Sequence, residues 1–180
     1  MAVTIDGTNG ITSPDFEVDG VTGKVYPLVS GTSQASTSGT SIDFTSIPSW
    51  VKRITVMFQG VSGSGTSAKL VQIGTSGGIE ATGYLSTSSL LGSASGVTAN
   101  STAGFICNSA SASEVISVIF TIVNISGNAW VSSYTGKVAT TTTAYGGGDK
   151  TLSGTLDRVR ITTVNGTDTF DAGSINILYE

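Results

Sequence analysis

The stretch RITVMFQG, residues 53–60, sets Ile54, Val56 and Phe58 on one face of an extended chain and Thr55, Met57 and Gln59 on the other. A period of two is the signature of a β-strand with one face against a core, because a helix would scatter those three side chains around its axis. Pro48 has no N–H to give to a ladder and biases Ile47 away from helical dihedrals. A short strand over residues 41–45 must therefore end there, and Trp50 sits at the corner where the long strand begins. The pattern returns at residues 157–164 (DRVRITTV), where Val159 and Ile161 alternate with Arg158, Arg160 and Thr162. Two such strands, so far apart in sequence, imply closure by non-local pairing.

Composition carries the same message along the whole chain. With 180 residues, of which 38% are hydrophobic and 11% charged, there is room for one sizeable core and not for two. Ser, Thr and Gly dominate the polar positions, while Leu, Ala, Glu and Lys are too sparse for ordinary amphipathic helices. A net charge of -4 removes the basic footprint that phosphate binding needs, so nucleic acid is not an expected partner.

Histidine is absent, which excludes Ser-His-Asp and Cys-His nucleophile arrangements and the commonest general base at neutral pH. The reading is that the protein is not an enzyme. Cys107 is the single cysteine, so no intrachain disulfide and no cysteine-rich zinc cluster can form; beside Phe105 and Ile106 it reads as a small buried hydrophobe. Folding without disulfides fits a reducing cytoplasm. The opening MAVTIDGTNG lacks the basic and apolar regions of a secretory signal, and the longest apolar stretch, residues 115–125, falls short of the roughly 20 residues that cross a bilayer. Membrane insertion is not expected.

In chain order, residues 2–28 are punctuated by Asp6-Gly7, Asn9-Gly10 and Asp19-Gly20, turn dipeptides with short β pieces at Ile11 and over residues 16–18. Residues 29–40 (VSGTSQASTSGT) offer no large apolar side chain after Val29, and read as a linker or an extended surface crossing, with a long loop of the same domain as the alternative. The domain boundary is placed at residue 38, with an N-terminal attachment segment over 1–38 and a head over 39–180. Within the head, residues 68–73 are expected to form a hairpin with the strand before them, and 79–85 a further strand. Residues 86–102 read as a Ser-rich loop, and 105–107 as a short strand. Residues 115–123 (VISVIFTIV) have the composition of a central strand covered on both faces, with 128–138 as its neighbour. A polar run over 139–150 leads to the strand at 157. Asn165-Gly166 fits a two-residue type I′ hairpin, and residues 174–179 form the last strand. About eight to ten strands at this spacing give an all-β fold, a β-sandwich of jelly-roll type with a short turn-rich N-terminal segment.

The opening IDGTNGITSPD resembles the start of bacteriophage tail-fibre and tail-spike-associated proteins. The stretches GTSIDFTSIPSWVKRITVMFQGVS and LSGTLDRVRITTVNGTDTFDAGSINILYE resemble a β-rich domain at the carboxyl end of tail fibres. The resemblance covers about a third of the chain, mostly its ends, and contains no catalytic motif. It implies a virion structural protein, a short tail fibre or tail tip, assembled in the host cytoplasm and built as a homo-oligomer of three copies. Other virion proteins would hold it by the N-terminal segment. A head decoration or capsid-fibre protein and a non-viral β-sandwich carbohydrate-binding module stay open as alternatives.

In that setting Tyr145, beside Gly146, Gly147 and Gly148, reads as an exposed aromatic in a loop. Together with Asp149 and Lys150 it is the expected contact with host surface glycan or protein, the ring stacking on a sugar while the charges give directional hydrogen bonds. Trp50, Trp130 and Tyr134 read as packed. Asp168 and Asp171 flank a turn but lack EF-hand spacing, so no metal or cofactor is expected. A glycosidase would need two carboxylates in one cleft, and Glu17, Glu80, Glu114 and Glu180 are isolated in sequence. Asp157, Arg158 and Arg160 are candidates for a cross-strand ion pair.

Overall fold

The structure, a computed structural model, describes residues 4–6, 10–12, 27–92, 96–109 and 111–180. Among them no helix occurs, and the regular structure is sixteen strands. The first five are β1 (Thr4–Asp6), β2 (Gly10–Thr12), β3 (Val29–Ser30), β4 (Gln34–Ala35) and β5 (Ser41–Phe44). Then come β6 (Arg53–Gly63), β7 (Lys69–Thr75), β8 (Gly78–Ile79), β9 (Tyr84–Leu91), β10 (Gly96–Ser101) and β11 (Phe105–Cys107). The last are β12 (Ser117–Ser126), β13 (Ala129–Ala139), β14 (Thr142–Thr151), β15 (Arg158–Thr163) and β16 (Phe170–Tyr179).

β1 and β2 pair with each other, and the expected piece over residues 16–18 lies outside the described residues. The rest is a β-sandwich. A nine-stranded antiparallel sheet runs β10-β9-β14-β13-β12-β6-β16, with β3 and β4 both on the outer side of β16. Facing it is a five-stranded sheet, β11-β7-β15-β5, with β8 on β7. The alternation read in β6 is the one that forms, Ile54, Val56 and Phe58 pointing inward between the sheets. They meet Phe120 and Ile122 of β12 and Ile175 and Ile177 of β16, and the small sheet supplies Val71, Ile73, Val159 and Ile161. Burial of each such side chain contributes roughly 1.5–3 kcal/mol relative to exposure. Phe120 stacks on Tyr134 with ring centroids 4.4 Å apart and tilts against Phe58 at 5.8 Å. Trp50 leans on Tyr179 at the rim, 6.1 Å away.

Several local expectations change. β6 and β7 are not a hairpin: the chain crosses between sheets through SGSGTS, and β7 is buried on both faces from Lys69 to Gly74, which the half-exposed large sheet would not allow. β15 and β16 likewise lie in opposite sheets. Gly166 has φ 68° while Asn165 does not enter the positive-φ region, so the turn is not type I′. Asn165 instead accepts the backbone N–H groups of Thr167 and Asp168 on its Oδ1, both at 3.1 Å. The Ser-rich loop over 86–102 is the β9-β10 hairpin, and the polar run over 139–150 is mostly strand β14. β12 is central, as its composition implied, but it is covered on one face only: Ile119 and Val123 point outward, 53% and 40% exposed.

The tract over 29–40 docks along β16. Gly31 N–H donates to Ile177 O at 2.8 Å, and Ser36, fully buried, donates from Oγ to Ala172 O at 2.8 Å. Residues 29–36, placed by the sequence in the segment before the head, thus extend the head's own sheet.

Candidate functional site

The outer face of the large sheet is ordered by register. One row across the strands is Ser89 of β9, Tyr145 of β14, Thr135 of β13 and Ile119 of β12. Two residues along lie Thr87, Gly147, Ser133 and Thr121, and two further lie Leu85, Asp149, Val131 and Val123. Along β14 this sets Gly147 between Tyr145 and Asp149, which stand about 13 Å apart at the backbone.

Hollows on this face lie at its β10-β9-β14 end. A groove of about 600 Å³ there is lined by Leu85, Ser86, Thr87, Asn100, Gly147 and Gly148, among others. A second hollow of about 220 Å³ shares Thr87 and Gly147 with it and reaches Tyr145. The glycines are required by the packing: a Cβ at Gly146 would lie 2.4 Å from Thr87 O and 2.6 Å from Tyr134 Cε1, and one at Gly147 would lie 2.6 Å from Ser132 O. No side chain fits at Gly147, so the outer floor stays open there, while Gly146, on the inward face, leaves room for the Tyr134 ring directly beneath.

Tyr145 and Asp149 both face outward on this surface, Tyr145 with 51% of its area exposed. They stand on a strand, not on a loop. Lys150 does not join them. Strand alternation turns it inward, where it is 6% exposed and its Nζ lies 2.6 Å from Glu80 Oε2 and 5.5 Å from the centre of the Tyr84 ring. Burial pushes the Glu80 carboxyl up, but hydrogen bonds from Lys150 and from Ser153 outweigh it and hold the group below its ordinary value. Tyr84, its own pKa raised by burial, accepts from Ile73 N–H at 2.7 Å and donates to Ile73 O at 3.1 Å.

The groove presents the Asn100 amide and Ser and Thr hydroxyls, the adjoining hollow adds the Tyr145 ring and its hydroxyl, and the Asp149 carboxylate stands on the same face opposite Leu85, a set able to satisfy a polyhydroxylated ligand through stacking and directional contacts. The sequence reading missed Leu85, Thr87 and Asn100. The signal was the alternation in YLSTSSLL, whose inward positions Ser86 and Ser88 are polar and hide the period.

Other singled-out residues have structural partners. Asp168 accepts from Ser67 N–H at 3.0 Å and from Asn165 Nδ2 at 2.8 Å, and Asp171 accepts from Ser62 Oγ. Arg160 forks onto both oxygens of Asp43 across β15-β5, each at 2.7 Å, and Arg158 binds Asp157 at 2.7 Å. Glu180 pairs with Arg53, and Glu17 lies outside the described residues. Burial pushes the Cys107 thiol up to about 12, so it is not a thiolate nucleophile at neutral pH. Among the described residues no group of three or more His, Cys, Asp or Glu side chains is placed to hold a metal ion.

The chain matches no family model, no curated protein and no solved structure.

Proposed function

We propose that the chain is a bacteriophage virion structural protein, a short tail-fibre or tail-tip component, and that the outer face of β9 and β14 touches the host surface. The observation that carries this reading is the groove between Leu85 and Asn100 with Gly147 and Gly148 in its lining, open to solvent, lined with groups that suit a surface glycan, and continued through Thr87 and Gly147 by the hollow that reaches Tyr145. The resemblance of the two ends to tail-fibre proteins supplies the setting. In it the N-terminal segment attaches to other virion proteins, and the head works in several copies. Weak single sites then suffice, because joining copies raises avidity by about 10²- to 10⁴-fold without new contacts.

A decoration protein on the head is the second reading, favoured by the exposed Ile119, Val123 and Val131, which would be covered if this face lay against a shell. Gold-labelled antibody against the purified protein separates the two. Label at the tail tip is the result expected, and label spread over the head would replace host contact with the decoration role.

A further inference from the structure

Among the strand edges of the two sheets, β10 is unlike the rest. β3, β4 and β8 are two-residue pieces, β11 has three residues, and β5 carries Asp43 locked to Arg160. β10, GVTANS, pairs with β9 through six consecutive residues without a register shift and, among the described residues, has no strand on its other side. It carries no charge and no proline, and Val97 is 50% exposed. Every second residue of such a strand turns its N–H and C=O outward, and soluble proteins ordinarily blunt such an edge with charge, proline or a bulge.

We propose that β10 pairs antiparallel with β10 of a second copy across a two-fold axis, joining two large sheets into one. The composition selects this occupant. A two-fold axis normal to the sheet sets residues near it opposite themselves or their symmetry mates, so a Lys or Asp on the strand would meet its like. GVTANS presents only small, neutral side chains there, with Thr98 and Ala99 in the middle. The proposal is independent of the role in the virion. It has a consequence for the groove all the same: Asn100, Ser101 and Thr102 line it from the β10 side, so the two-fold brings two grooves together at the centre of the joined sheet. A three-fold ring cannot pair β10 with itself, and copy number is therefore two or a multiple of two.

Light scattering of the purified full chain should give twice 18.1 kDa or an even multiple. Thr98→Asp should halve that mass while leaving the thermal melt of the protein cooperative. Single cysteines placed in turn at Val97, Thr98, Ala99 and Asn100 should give a disulfide-linked pair at one or two of the four positions under oxidising conditions, Cys107 being buried in the core. The scan also decides the matter if Thr98→Asp fails to fold. A monomeric or three-copy wild type overturns the proposal, including a monomer whose β10 accepts an extended segment of another virion protein. So does an even-numbered assembly that yields no cross-link at any of the four sites.

Discussion

Lys150 of β14 and Glu80, the residue after β8, form a 2.6 Å ion pair that ties the large sheet to the small one. Their side chains are 7% and 21% exposed, and Glu80 Oε1 also accepts from Ser153 N–H at 2.8 Å and Oγ at 2.6 Å. Removing one partner leaves the other poorly solvated and unpaired, which outweighs the modest net gain of making the pair. Lys150→Met is expected to lower stability by about 1–3 kcal/mol in urea unfolding, discounted for the partial exposure of Glu80. The double variant Lys150→Met with Glu80→Gln should recover part of that loss.

The same pair shapes the acid side of the stability profile. Glu80 titrates below its ordinary value when folded and near 4.5 when unfolded. Its contribution is complete above the unfolded value and is lost as pH falls through the folded one. Stability therefore declines from about pH 4.5 downward, and Glu80→Gln should flatten that decline in denaturation curves taken across the window.

Gly146 is a packing requirement under the groove. A methyl group there meets Thr87 O and the Tyr134 ring, and the ring is already stacked on Phe120. Gly146→Ala should cost about 1–3 kcal/mol by overpacking, visible as a lowered melting temperature. Gly166→Ala acts differently: nothing crowds its Cβ, and only its φ of 68° opposes the change. Its cost should be about 1 kcal/mol.

Truncation locates the start of the head. Removing residues 2–26 spares the β3 and β4 contacts with β16, whereas removing residues 2–38 also takes away buried Ser36 and its bond to Ala172. The shorter deletion should melt at the full-length temperature and the longer one below it.

Large apolar alternation made β6, β15 and β16 legible, because Ile54, Val56 and Phe58 cannot share a face in any other backbone. β9 and β14 were not legible. Their central inward positions are Ser86, Ser88, Gly146 and Gly148, which interrupt the hydrophobic period between Tyr84 and Leu90 and between Ala144 and Lys150, even though Gly146 packs against Tyr134 and the two serines bond the backbone at Ile106 and Asn108. Reading β14 as a loop also hid the parity that separates Tyr145 and Asp149 from Lys150. β12 misled in the opposite sense, since Ile119 and Val123 are strand formers that remain exposed. Which residues end in which sheet was beyond reach, because β6-β7 and β15-β16 are joined by turns that look like hairpins and cross between layers.

The most direct test of host contact at the β9-β14 face is adsorption of purified, labelled protein to host cells, wild type against Tyr145→Ala with Asp149→Ala. Both side chains point to solvent from a strand whose core face is untouched, so the variant should fold and assemble as the wild type does. Losing a stacking ring and a directional acceptor should weaken binding by about tenfold or more. Equal binding by a variant of unchanged assembly state and melting temperature would contradict host contact through this face.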